Sequence, residues 1–124
     1  MERRKFTRFQ VQDDAFAALR GNFSKVGKIY DISFNGLAFR YLAKETSEDT
    51  YTQVDIFLSS NGFHLSDLSC LVVYDEKESI SNSKTVSPYR CGLQFKAFRA
   101  GQQDQLEFFL NNYTTGLPIK DHKD

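Results

Sequence analysis

The chain has 124 residues, with sixteen Lys and Arg balanced by sixteen Asp and Glu. One domain with a proper core fits this length, whereas two of ordinary size do not. A net charge of zero excludes a polyanion-binding surface spread over the whole molecule, so any anion site must come from local clustering.

Twelve Phe and six Tyr with no Trp favour a β-rich core. The first nine residues, Met1-Glu2-Arg3-Arg4-Lys5-Phe6-Thr7-Arg8-Phe9, carry four positive charges against one negative, the only strong basic cluster in the chain. This start lacks the apolar segment of a signal peptide, and no apolar run approaches the roughly 20 residues of a membrane span. A cytoplasmic protein without membrane insertion is the expectation. Phe6 and Phe9 suit an arm that docks, and Arg4 and Arg8 can converge on one ligand. A guanidinium offers phosphate a fixed fork of donors and offers a base a flat face.

Residues 14–19 and 23–30 flank Arg20-Gly21-Asn22 and read as a first hairpin. Asp31-Ile32-Ser33-Phe34-Asn35-Gly36 follows as a turn into a strand over 37–41. Residues 44–52 are polar and predict a loop, and 54–58 predict another strand. Ser59-Ser60-Asn61-Gly62 is a hairpin signal leading to a long strand region over 63–74. Residues 75–86 are charged, without periodicity, and predict a mobile loop. Residues 89–95 return as the last strand. Six strands at short spacing suit a small antiparallel barrel or sandwich.

From Gln102 onward Leu106, Phe109, Leu110 and Tyr113 fall at i, i+3, i+4 and i+7, the pattern of an amphipathic helix laid across the sheet. Phe98 is expected to pack nearby. Thr114-Thr115-Gly116-Leu117-Pro118 stops the helix, and residues 120–124 look frayed.

The spacing D-x-S-x-x-G gives each residue a chemical use. Asp31 is a two-oxygen acceptor for paired N–H donors, and Ser33 can donate to an anionic oxygen or tie the turn to itself. Gly36 can take φ > 0 and let a ligand approach the backbone, and Asn35-Gly36 is a favoured turn pair. The same residue types also serve simply to cap a tight turn.

Other chemistry has less support. Ser33 lacks the G-x-S-x-G setting of an elbow nucleophile, and His64 and His122 have no acid or metal-ligand spacing around them. Neither catalysis nor a metal site is expected. Cys70 and Cys91 lie in apolar, strand-like runs without a C-x-x-C partner and read as reduced core thiols, with a disulfide geometrically conceivable if their strands are neighbours. A nucleic-acid-binding barrel would need more basic surface than one cluster at one end supplies.

Three signals stand in a fixed order: Arg4-x-x-x-Arg8, Asp31-x-Ser33-x-x-Gly36, and Gly92-Leu93-Gln94-Phe95 before a helix. Together they resemble the PilZ domain family over nearly the whole chain. The resemblance implies an all-β fold, a six-stranded antiparallel β-barrel with a C-terminal α-helix, that binds the bacterial second messenger cyclic di-GMP. It implies that Arg4 and Arg8 contact phosphates and guanine, that Asp31 accepts from guanine N–H groups, that Ser33 contacts the phosphate region, and that Gly36 permits close approach. Arg3 and Asn35 are weaker candidates.

The domain reading is an arm over residues 1–13, the barrel plus helix over 14–116, and a tail over 117–124. The implied function is a cyclic di-GMP receptor, with no other cofactor, whose arm orders on binding and which signals to an unidentified protein effector. The alternative is a PilZ-fold interaction module that does not bind the messenger.

Overall fold

A computed structural model describes residues 7–21, 24–44, 50–78 and 86–118. Its elements run β1 (Phe9–Val11), β2 (Ala15–Arg20), β3 (Lys25–Ile32), β4 (Gly36–Ala43), β5 (Gln53–Leu58), β6 (His64–Lys77), β7 (Ser87–Phe95), α1 (Gln102–Asn112) and β8 (Thr114–Pro118). Six of the strands close a ring in the order β2-β5-β6-β7-β4-β3, completed by antiparallel pairing of β2 with β3. The expected six-stranded barrel with a C-terminal helix is therefore the fold.

Alternation along each strand explains why these segments pair into a barrel. In β2, Ala15, Ala17 and Leu19 are fully buried while the residues between them are not. In β4, Leu37, Phe39 and Tyr41 point inward and Arg40 and Leu42 outward, the period of two that a half-buried strand requires. The interior is filled by Leu19, Ile32, Phe39, Val54, Ile56, Leu65 and Leu68. Burying each such side chain contributes about 1.5 to 3 kcal/mol.

The helix covers part of this interior. Leu106, Phe109 and Leu110 are buried on its inner face, and Phe109 meets Phe63 and Tyr113 at ring-centroid separations of 5.4 and 5.7 Å. Its start is tied down by polar contacts. Gly101 takes a left-handed φ of 84°, and the Gln102 side-chain amide donates to the carbonyls of Ser66 (2.9 Å) and Asp67 (3.1 Å). The Asp67 amide in turn donates to the buried Asp55 carboxylate at 2.8 Å.

Three sequence expectations change. The predicted loop over 75–86 begins later, because β6 runs on to Lys77, with Asp75 opposite Cys91 and Glu76 opposite Arg90. Asp75 is charged yet turned inward, where the Lys25 ammonium meets it at 2.6 Å and the Tyr41 hydroxyl donates to it at 2.6 Å. A second difference is that Thr114–Pro118 does more than end the helix: it forms β8, which pairs with β1. β1 is itself the third, since three residues are too few to show alternation. It joins the sheet by pairing with β3 on its other side.

Cys70 and Cys91 are free and buried. Cys70 lies opposite Phe95, four residues along β7 from Cys91, a separation of about 13 Å along the strand. That is beyond disulfide reach. Burial pushes the Cys70 thiol up to about 11 and the Cys91 thiol up to about 12.

Candidate functional site

The outer wall of the barrel brings the sequence candidates together. β3 pairs with β2 over its first half and with β1 at its end, where Phe9 faces Ile32 and Gln10 faces Asp31. This pairing delivers Arg8, the residue just before β1, to the Asp31 carboxylate. Arg8 Nε donates to Asp31 Oδ1 at 3.0 Å, and Nη2 pairs with Oδ2. The contact is the two-pronged guanidinium–carboxylate geometry, among the stronger polar pairs a protein makes. Arg8 keeps 28% of its side chain exposed, so it remains accessible from solvent, while Asp31 keeps 7%.

The turn after Asp31 is fixed by its own hydrogen bonds. Ser33 N donates to the Gly36 carbonyl at 2.9 Å, Asn35 N donates to Ser33 Oγ at 3.0 Å, and Phe95 N donates to the Asn35 carbonyl at 2.8 Å. Ser33 therefore ties the turn to itself, and its oxygen still leaves a hydroxyl proton to give.

Gly36 corrects an expectation. Its φ is not positive: among the described glycines only Gly62 and Gly101 have that conformation. A Cβ at Gly36 would instead collide with the Leu93 carbonyl oxygen of β7. Glycine is required there so that β4 and β7 can approach, not by a left-handed turn. Arg3 and Arg4, the remaining sequence candidates, lie outside the described residues.

Four residues on this wall carry no sequence signal of their own. A register irregularity between Ile29 and Asp31 makes Tyr30 the extra residue on β3, immediately beside Asp31. The Arg90 guanidinium stacks over the Tyr30 ring at 4.2 Å. The Tyr30 hydroxyl donates to Glu78, and Arg40 Nε donates to Glu78 Oε1 at 3.0 Å. That hydrogen bond to Glu78 raises the Tyr30 hydroxyl's pKa, with burial adding to it. These four come from β3, β4, β7 and the residue just after β6, so only the closed barrel gathers them.

Among the described residues no group of three or more His, Cys, Asp or Glu could hold a metal ion, and no helix is long and apolar enough to cross a membrane. The arrangement supplies donors, an acceptor and an aromatic face, the functions of a binding surface.

Comparison with known proteins follows the same line. The family model described as PilZ domain matches residues 2–112. Among solved structures, the PilZ domain of YcgR from Escherichia coli with c-di-GMP is similar at a TM-score of 0.63 and 16% identity, covering 90% of this chain and 92% of that one. The MrkH–c-di-GMP complex from K. pneumonia is similar at a TM-score of 0.65 and 20% identity, covering 90% of this chain and 52% of that one. The chain thus spans nearly all of the isolated YcgR domain and about half the length of MrkH. No curated protein matches the sequence. With a family match across nearly its whole length and a barrel of the same architecture, the chain belongs to the PilZ domain family.

Proposed function

We propose that this protein is a cytoplasmic, non-catalytic receptor for cyclic di-GMP that passes ligand occupancy to a protein partner. The observation that carries the reading is the Arg8–Asp31 pair on the outer wall. A forked donor and a buried two-oxygen acceptor stand side by side, matching the phosphodiester and the guanine N–H edge of one ligand. PilZ membership and the solved relatives described with c-di-GMP support the same ligand.

In this proposal Arg8 turns from Asp31 to the phosphate, and Asp31 accepts from guanine. Ser33 donates its hydroxyl proton, and Asn35 and Gly36 shape the turn beside it. Arg4, with Arg3 as a weaker contributor, adds cations from the N-terminal segment. Because β1 pairs with both β3 and β8, a movement of Arg8 is linked to the strand that follows α1. That link is the route by which binding reaches a partner-facing surface.

A second reading has one observation in its favour. Arg8 and Asp31 already satisfy each other, as they would in an interaction module that binds no messenger. Calorimetric titration separates the two. The receptor binds cyclic di-GMP at micromolar concentration, ignores GMP, and loses affinity in Arg8→Ala. A folded chain that gives no heat with cyclic di-GMP is the interaction module. Hydrogen exchange over residues 1–8 tests the conformational part, with slowed exchange at saturating ligand as the expected result.

A further inference from the structure

Side chains on the outer wall fall into rows that run across the strands. One row is Asp31–Ala38–Gly92–Tyr74, from the pairings Asp31 with Ala38, Ala38 with Gly92, and Gly92 with Tyr74. Its middle is made of small residues that are themselves buried, Ala38 and Gly92, with the Tyr74 ring lying over Gly92.

The next row, about 7 Å along the strands, is Lys28–Arg40–Arg90–Glu76. Three cations stand on adjacent strands, with directly opposed side chains about 5 Å apart at their Cβ atoms. Like charges opposed in this way destabilise a sheet unless an anion joins them.

In this structure Lys28 pairs with Asp13 at 3.4 Å, Glu76 stands opposite Arg90, and the anion that meets Arg40 is Glu78. Its carboxylate takes the Tyr30 hydroxyl and Arg40 Nε together. Arg90 lies flat on Tyr30, and its Nε is buried without a hydrogen-bond acceptor among the described residues. The Arg40 guanidinium and the Tyr30 phenol therefore share the Glu78 carboxylate, and the Arg90 guanidinium, with an unused donor, lies on the Tyr30 ring beside them.

We infer that Arg40, Arg90 and Tyr30 form a second phosphodiester-binding subsite, continuous with the Asp31 site, whose anion position the Glu78 carboxylate holds until ligand displaces it. The inference rests on the cyclic di-GMP reading and deepens it. Arg8 engages one phosphodiester, and Arg40 and Arg90 engage the other beside Tyr30. Glu78 is then an internal competitor, and its charge sets the ligand concentration at which the site fills.

The test is calorimetric titration of the purified chain with cyclic di-GMP in five forms: native, Arg8→Ala, Arg40→Gln, Arg90→Gln and Glu78→Ala. Arg40→Gln and Arg90→Gln are expected to weaken binding by about tenfold each, as loss of a charge-assisted hydrogen bond to phosphate does. Glu78→Ala is expected to tighten binding by about three- to tenfold. A sixth form, Glu76→Ala, removes the same charge from the row position opposite Arg90, so a gain confined to Glu78→Ala is the decisive sign of displacement, and an equal gain in both overturns it.

The subsite is overturned, with the receptor reading intact, if Arg8→Ala weakens binding while Glu78→Ala fails to tighten it. It is equally overturned if Arg40→Gln and Arg90→Gln stay within twofold of native. If the native chain does not bind, the receptor reading falls and the subsite falls with it.

Discussion

The Arg8 guanidinium and the Asp31 carboxylate, 23 residues apart in the chain, meet in a two-pronged pair that joins the lead-in of β1 to the end of β3. The pair fastens the lead-in of β1 to the barrel wall, and in the proposed receptor ligand exchanges it for contacts to phosphate and guanine. Both roles are separable by experiment.

Binding responds to either partner. Arg8→Ala and Asp31→Ala are each expected to weaken cyclic di-GMP binding by roughly 10- to 150-fold, from charge-assisted bonds of about 1.5 to 3 kcal/mol. A double-mutant cycle on stability without ligand is expected to give a coupling of about 1 kcal/mol, because Arg8 is partly exposed. Chemical denaturation of the four forms measures it, and zero coupling means that the pair does not hold the arm.

Gly36→Ala separates packing from ligand approach. The added methyl meets the Leu93 carbonyl oxygen, a backbone atom that cannot step aside. Overpacking of this kind costs about 1 to 3 kcal/mol. The unfolding midpoint is expected to fall in the absence of any ligand. An unchanged midpoint with weakened binding would return Gly36 to the role that its motif suggested.

Lys25 is held by Asp75 beneath a cover of aromatic rings, with its ammonium 4.5 Å from the Tyr51 ring centroid. Lys25→Met leaves the Asp75 carboxylate enclosed with only the Tyr41 hydroxyl of the contacts described above. Removal of one partner from a buried pair costs about 3 to 5 kcal/mol. Thermal unfolding of Lys25→Met against Lys25→Met/Asp75→Leu reads this directly, with the double variant expected to be the more stable of the two. The opposite order would mean that the ammonium serves no charge.

The two thiols respond to pH in one direction. Burial raises Cys70 from 9.0 to about 11 and Cys91 from 9.0 to about 12, so the folded chain holds more protons than the unfolded chain across that window. Their contribution to stability is complete below pH 9 and is lost as pH rises toward 12. A thiol reagent at pH 8 is expected to modify neither cysteine until denaturant is added. Rapid labelling of the native chain would contradict the burial of both.

The strands with clean alternation and the helix with its i, i+3, i+4, i+7 stripe were legible in the sequence, because these periods are written into neighbouring residues. So were the candidates Arg8, Asp31 and Ser33, picked out by local spacing, and the resemblance that joined them. β1 and β8 were not legible, since short strands owe their existence to partners far along the chain. The role of Gly36 was misread for the same reason: the atom that demands glycine belongs to Leu93, on another strand. Arg40, Arg90, Tyr30 and Glu78 are spread along the chain, and antiparallel register places them together. Periodicity is a property of the chain, whereas register and closure are properties of the folded sheet, and the cluster of Tyr30, Arg40, Glu78 and Arg90 exists only through them.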